Sequence, residues 1–350
     1  MSLANIFAMG SGVAALWKRQ KSRFSLWLAA LGMLFALLFI FSLSLTQGSV
    51  QLSWHEFGLA LIREGDPRYQ TIVWDLRLPR VMAAMVVGSA LGLSGALLQG
   101  MLRNGLASPF LLGISAGSGL AAVVILGLGI WQVWLPLGAW LGGVTTIVLV
   151  YFLARTGTGI SVERLILGGV ALSTLFGAVQ SMLLLLSPDG QAQAALSWLI
   201  GSLNGRGWQE LSVVAPSVLV SLVVGCLLAR QLNVLSLGDD LAVGLGSSLM
   251  RSRIMIGAVA TLLAAGAVSI AGLVGFVGLI VPHGVRLLVG TDYRLVLPFS
   301  ALGGALVLST ADLLARLGPT EVPVGIVTAV MGSPVFLWLL HRQKSAIGGV

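Results

Sequence analysis

Roughly ten apolar stretches of 16 to 22 residues follow one another along the chain, and almost no charge interrupts them. The run Phe24–Leu45 contains no charged side chain. At ~1.5 Å rise per helical residue it is long enough to cross a ~30 Å hydrocarbon layer. Membrane-spanning strands would alternate apolar and polar positions over ~10 residues. Val144–Leu153 and Met182–Leu186 show no alternation, so the pattern predicts helices, which satisfy their own backbone groups in lipid. The expected spans are 24–45, 81–102, 110–130, 135–154, 165–186, 211–229, 254–273, 275–290, 295–315 and 323–340. The tract 254–290 exceeds one span, so a reversal is needed near Gly272–Gly275. The resulting layout is a single all-α, polytopic membrane domain over 24–340, between a segment 1–23 and a tail 341–350.

Composition agrees. Only 9% of the 350 residues are charged, where a soluble domain carries ~25%, and the mean hydropathy is +0.99. The net charge of +8 suggests nucleic acid at first sight. Its distribution argues otherwise. With both termini placed in the cytoplasm, 14 of the 20 basic residues fall on cytoplasmic segments, as the positive-inside rule requires. Lys18, Arg19, Lys21 and Arg23 precede an apolar run too long for a signal-peptide core, so 24–45 reads as the first span. A lone cysteine, Cys226, excludes an internal disulfide or a cysteine-cluster metal site. Glycines recur at small-xxx-small spacing, as in Gly88/Gly92, Gly113/Gly117 and Gly138/Gly142, which lets helices approach closely in lipid.

Candidate chemistry is confined to short polar segments. In Leu235–Arg253, Asp239 and Asp240 suit the first turn of a short helix. Gly246 suits the position just past its end, and Leu241, Ala242 and Leu245 would give it one apolar face. Arg77 and Arg80, three apart, would share a helix face. Asp312 and Arg316 are spaced for an i,i+4 pair. Glu321 suits the start of the last span, His283 reads as a packed histidine at a bend, and Trp74, Trp131, Trp134, Trp198 and Trp208 as an interfacial belt.

Several stretches together resemble a family: RLPR (77–80), LGLSGALLQGMLRNGLASP (91–109), FLLGISAG (110–117), WLIGSLNGRGW (198–208), LSLGDDLAVGLG (235–246), GFVGLIVPH (275–283), DYR (292–294) and ADLLAR (311–316). In order and spacing the chain resembles the FecCD-type permeases of binding-protein-dependent importers for ferric siderophores, haem and vitamin B12, the type II ABC importers. That resemblance, rather than hydropathy, fixes ten spans. It implies a second permease subunit (a copy or a paralogue), two ATPase subunits and an external substrate-binding protein, in a bacterial cytoplasmic (inner) membrane. It implies ATPase coupling through Leu237, Gly238, Asp239, Asp240, Leu241, Ala242, Leu245 and Gly246. Docking of the binding protein would fall to Arg77, Arg80 and Arg316. A pathway gate would be formed by Asn104, Leu106, Val162 and Glu163, with Gly105 standing where the family usually has proline. No cofactor and no metal are expected on this chain, ATP and Mg being used by the partner ATPase. Nothing here matches the phosphate-cradling GxxxxGK[ST] loop. The subunit is therefore expected to be a transport permease rather than an enzyme, with iron-siderophore complexes as cargo and haem or vitamin B12 as the alternative. An ion-coupled secondary transporter would need an intramembrane carboxylate, and Asp312 is the one candidate.

Overall fold

A computed structural model describes residues 23–347, apart from 49, 51, 130, 131, 157, 158 and 319. Most of the expected segment 1–23, including Lys18, Arg19 and Lys21, lies outside the described residues, as does Trp131. The first span is α1 (Arg23–Thr46). Two short helices follow, α2 (Trp54–Leu61) and α3 (Pro67–Thr71). A π-helical turn at Ile72–Arg77 leads into α4 (Leu78–Leu102). Next come α5 (Ile114–Leu128), α6 (Leu135–Ala154) and α7 (Val162–Leu186). A two-residue hairpin, Arg155–Thr156 against Gly159–Ile160, joins α6 to α7. The remainder is α8 (Asp189–Ile200), α9 (Trp208–Leu227), α10 (Ala229–Ser236), α11 (Asp239–Gly244), α12 (Leu249–Ala271), α13 (Val277–Val289), α14 (Tyr293–Arg316) and α15 (Val324–Ile347).

Seven of these helices are long and apolar enough to cross a membrane. Three shorter apolar helices, Ile114–Leu128, Val277–Val289 and Val324–Trp338, occupy the other expected span positions. The reversal inside 254–290 falls where the glycines stand: α12 ends at Ala271, Gly272 is left-handed at φ 71°, and α13 begins at Val277. The last helix continues to Ile347, so most of the expected tail is helical. The hydropathy pattern did not signal α2, α3 or α8, because they are short and carry polar residues such as Glu56, Arg68, Asp189 and Gln191.

The helix α4 is the axis of the domain. From Val81 to Leu102 almost every residue is buried, packed among α12, α13 and α14. Close approach makes this possible. A Cβ on Gly88 would collide with the Gly304 carbonyl, and one on Gly92 with that of Ser300, so α4 and α14 touch backbone to backbone. Gly117 and Gly142 do the same for α5 and α6. Gly138 instead accommodates the Ile125 side chain. The outward faces of α1 and α7 carry exposed Phe24, Trp27, Phe35, Leu167, Leu175 and Leu185, as helices solvated by lipid do. Because α4 and α14 run in opposite senses, each end of the domain collects its own charged cluster.

Candidate functional site: two ionic clusters at opposite ends

At the first end, Arg77 Nη1 donates to the carbonyls of Leu45 (2.8 Å) and Thr46 (2.9 Å), and Nη2 to that of Val50. The guanidinium thereby satisfies the orphan carbonyls that end α1, with positive charge against the negative pole of the helix. Gly48 leaves room for it, since a Cβ there would stand 3.0 Å from Arg77 Nη2. Arg80 Nε donates to Asp312 Oδ1 at 3.0 Å, and its Nη1 to Glu321 Oε2 at 3.1 Å. Arg316 Nη2 lies 3.2 Å from Asp312 Oδ2, close enough for charge attraction but misaligned for a hydrogen bond. Its Nη1 donates to the Ser44 carbonyl at 3.2 Å. Asp312 is 1% exposed, and the three arginines are 6 to 9% exposed.

Arg77 and Arg80 take different partners: Arg77 reaches the end of α1, and Arg80 reaches Asp312 on α14 and Glu321. Glu321, just before the last helix, is anchored by Arg80, whose Nη1 donates to its carboxylate. The expected Asp312–Arg316 pair is present, and Arg80 joins it. Trp198 is buried rather than interfacial, whereas Trp74 and Trp208 are joined by a hydrogen bond from Trp208 Nε1 to the Trp74 carbonyl.

At the opposite end, α4 terminates at Arg103, which adopts a left-handed conformation at φ 49°. The chain then folds tightly. Asn104 donates its N–H to the Gln99 carbonyl at 3.1 Å, and its side-chain Oδ1 accepts from Leu106 N–H at 2.9 Å. This Asx-type turn closes the loop around Gly105. Leu106 projects outward, 41% exposed. Val162 opens α7 and packs partly against the core, while Glu163 beside it is exposed. The fold holds α7 against the far part of the same loop, with Gly169 directly over the Leu111 carbonyl and Leu112.

The helix α11 lies at this same end. Gly238 precedes it at φ 112°, and Gly246 follows it at φ 79°. Gly246 N–H bonds to the Val243 carbonyl and Ser247 N–H to that of Ala242, which is the expected glycine stop. The apolar face divides in two. Ala242 is buried against the body, whereas Leu241 and Leu245, one turn apart, are 60% and 66% exposed. Position 242 is rotated by ~100° from 241 at 3.6 residues per turn, and that rotation carries Ala242 to the body while Leu241 and Leu245 stay outward. Leu237 and Val243 extend the outward apolar surface.

Asp239, the first residue of α11, is held by two arginines. Arg253, at the start of α12, places Nη2 at 3.0 Å from Oδ1 and 2.9 Å from Oδ2. Arg103 places its Nη2 at 3.0 Å from Oδ1. Neighbouring α10 is fixed separately: Asn233 Nδ2 donates to Asp292 Oδ1 at 2.7 Å, and Tyr293 N–H to Asn233 Oδ1 at 3.0 Å. Burial alone would raise the Asp292 pKa. The hydrogen bonds from Arg294 N–H and Asn233, with the Arg294 charge, outweigh it and hold the carboxyl below its ordinary value. Sequence spacing gave no sign of the Arg103–Asp239 or Arg80–Asp312 contacts, whose partners are separated by 136 and 232 positions.

These features define a multi-pass helical membrane protein with an ionic clasp at one end and an exposed apolar helix at the other. The chain belongs to the FecCD transport family, whose profile matches residues 34–342. It is 39% identical over 332 residues to the hemin transport system permease protein of Yersinia pestis, covering 91% of this chain and 97% of that one. Against the Fe(3+) dicitrate transport system permease protein of Escherichia coli the identity is 38%, covering 86% and 94%. Against the cobalamin import system permease protein of Halobacterium salinarum it is 42%, covering 79% and 74%. A solved structure described as an inward-facing metal-chelate type ABC transporter matches with a TM-score of 0.81 at 32% identity, covering 89% of this chain and 98% of that one. The family consists of permease components and not enzymes.

Proposed function

We propose that this chain is one permease half of an ATP-driven importer that moves a bulky metal chelate, an iron-siderophore complex, across a bacterial cytoplasmic membrane. The observation that carries this is α11. Leu241 and Val243 on the six-residue helix, with Leu237 before it and Leu245 just after it, expose apolar surface on a segment that is itself tied down through Asp239. Such a patch at a loop end suits the groove of a soluble partner. Two ATPase subunits occupy that end, which is cytoplasmic, and hydrolyse ATP with Mg; this chain binds neither. A second permease subunit, a copy or a paralogue, completes the pathway. Asn104 and Leu106, on the loop after α4, narrow its cytoplasmic mouth, with Val162 and Glu163 beside them. An external binding protein docks at the opposite end. Arg77, Arg80 and Arg316 serve docking there through the net positive charge of the clasp, three arginines against Asp312 and Glu321, because most of their donors are already engaged internally.

The chelate class follows from the relatives, whose names give hemin, ferric dicitrate and cobalamin as their cargoes. Haem and vitamin B12 are thus the alternatives to a siderophore. Among the described residues no cluster of histidine, cysteine or carboxylate groups could strip a metal, which suits a cargo handled by shape. The test is uptake into proteoliposomes holding the permease with its ATPases and binding protein, offered ferric hydroxamate, ferric catecholate, hemin and cobalamin in turn. Uptake of a ferric siderophore that needs ATP and survives an ionophore is expected. Uptake abolished by the ionophore and indifferent to ATP depletion would contradict the reading.

A further inference from the structure

We infer that Arg103 and Asp239 form a transmission strut, through which movement of α11 is passed directly to the loop 103–108. The inference rests on the reading of α11 as the ATPase-facing helix and names the residues by which its motion reaches the pathway mouth.

Three observations carry it. Asp239 sits on α11 itself, at its first residue, so its carboxylate moves with the helix. Its two partners differ in kind. Arg253 Nη2 contacts both carboxylate oxygens, and that side chain is 9% exposed, so this contact fixes α11 to α12. Arg103 makes one contact to one oxygen from a side chain that is 43% exposed. A single solvated ion pair adds little static stability. It does place opposite charges on two separate segments, and among the described residues it is the hydrogen bond that joins α11 to that loop. The loop is also built to respond as a unit. Arg103 is strained into the left-handed region at φ 49°, the next amide bonds back to Gln99, and Asn104 holds Leu106 N–H. A pull on the Arg103 side chain is therefore delivered to Asn104 and Leu106 within three residues, without passing through the buried core. Gly238, at φ 112°, sets the turn that brings Asp239 beside Arg103.

Amide hydrogen exchange on the complete transporter in lipid nanodiscs, with and without ATP and vanadate, tests this. In the unaltered protein, nucleotide changes exchange in both 239–246 and 103–108. In Arg103→Gln the change at 239–246 persists, while that at 103–108 falls at least twofold. Asp239→Asn loses the response of 103–108 as well. Arg103→Lys restores it, because a point charge suffices for a one-nitrogen, one-oxygen contact; a purely structural role for Arg103 would not show that rescue together with an intact response at 239–246. An undiminished response of 103–108 in Arg103→Gln overturns the strut alone. Absence of any nucleotide response at 239–246 in the unaltered protein overturns the ATPase-facing reading, and the strut with it.

Discussion

The two ends of this permease use the same chemistry, arginine against aspartate, to opposite effect. At the Arg80 end, Asp312 is 1% exposed and shares its carboxylate between two nearly buried arginines on different helices. At the Arg103 end, Asp239 is 37% exposed at its side chain and takes one buried and one solvated arginine. Breaking one member of a buried ionic group leaves an uncompensated charge and costs about 3–5 kcal/mol, whereas an exposed pair contributes about 0.2–1 kcal/mol. Burial therefore sorts the clusters. The first holds three helices together; in the second, Arg253 is buried and only the Arg103 contact is solvated.

The largest effect is expected at the clasp. Asp312→Asn should lower the stability of the purified permease by about 3–5 kcal/mol, read as a fall in thermal midpoint in detergent. Arg103→Gln should change the same midpoint by an amount equivalent to no more than about 1 kcal/mol. Equal losses for the two substitutions would erase the comparison. Next in size, Gly92→Leu forces a side chain between α4 and the Ser300 carbonyl. Overpacking of this kind costs about 1–3 kcal/mol, and an unchanged midpoint would show that α4 and α14 do not meet there. Smaller again is Asp292→Ala, which removes the cap of α14 and a partner of Asn233, at about 1 kcal/mol. Because the folded Asp292 carboxyl is held below its ordinary value, its contribution is present above pH ~4. It is lost as pH falls through the depressed value. The gap in thermal midpoint between Asp292→Ala and the unaltered protein should therefore close on acidification. A gap that widened instead would give the shift the wrong sign.

How much of this was legible in the sequence follows from the range over which each force acts. Hydropathy is local, so α1, α4, α6 and α14 could be read directly, and Gly272 marked the reversal between α12 and α13. The glycine stop at Gly246 and the acidic first turn at Asp239 are likewise local signals. The i,i+4 pair of Asp312 and Arg316 was visible for the same reason. The contacts of Arg80 with Asp312, and of Arg103 with Asp239, join residues that only the finished fold brings together. The partners of Arg77, 32 and 31 positions earlier at the end of α1, likewise left no mark in hydropathy. Ala242 looked like part of the outward face until its neighbours showed which side of α11 was occupied.

The helix α11 is the place where this subunit is proposed to take up mechanical work. The most direct measurement is the affinity of the purified ATPase subunits for the permease in lipid nanodiscs, compared between the unaltered chain and Leu241→Glu with Leu245→Glu. The doubly substituted helix keeps Asp239, Ala242 and Gly246, and hence its seat on the body. Binding of the unaltered chain is expected, with a loss of at least tenfold in the double variant. Equal affinities for the two would contradict it.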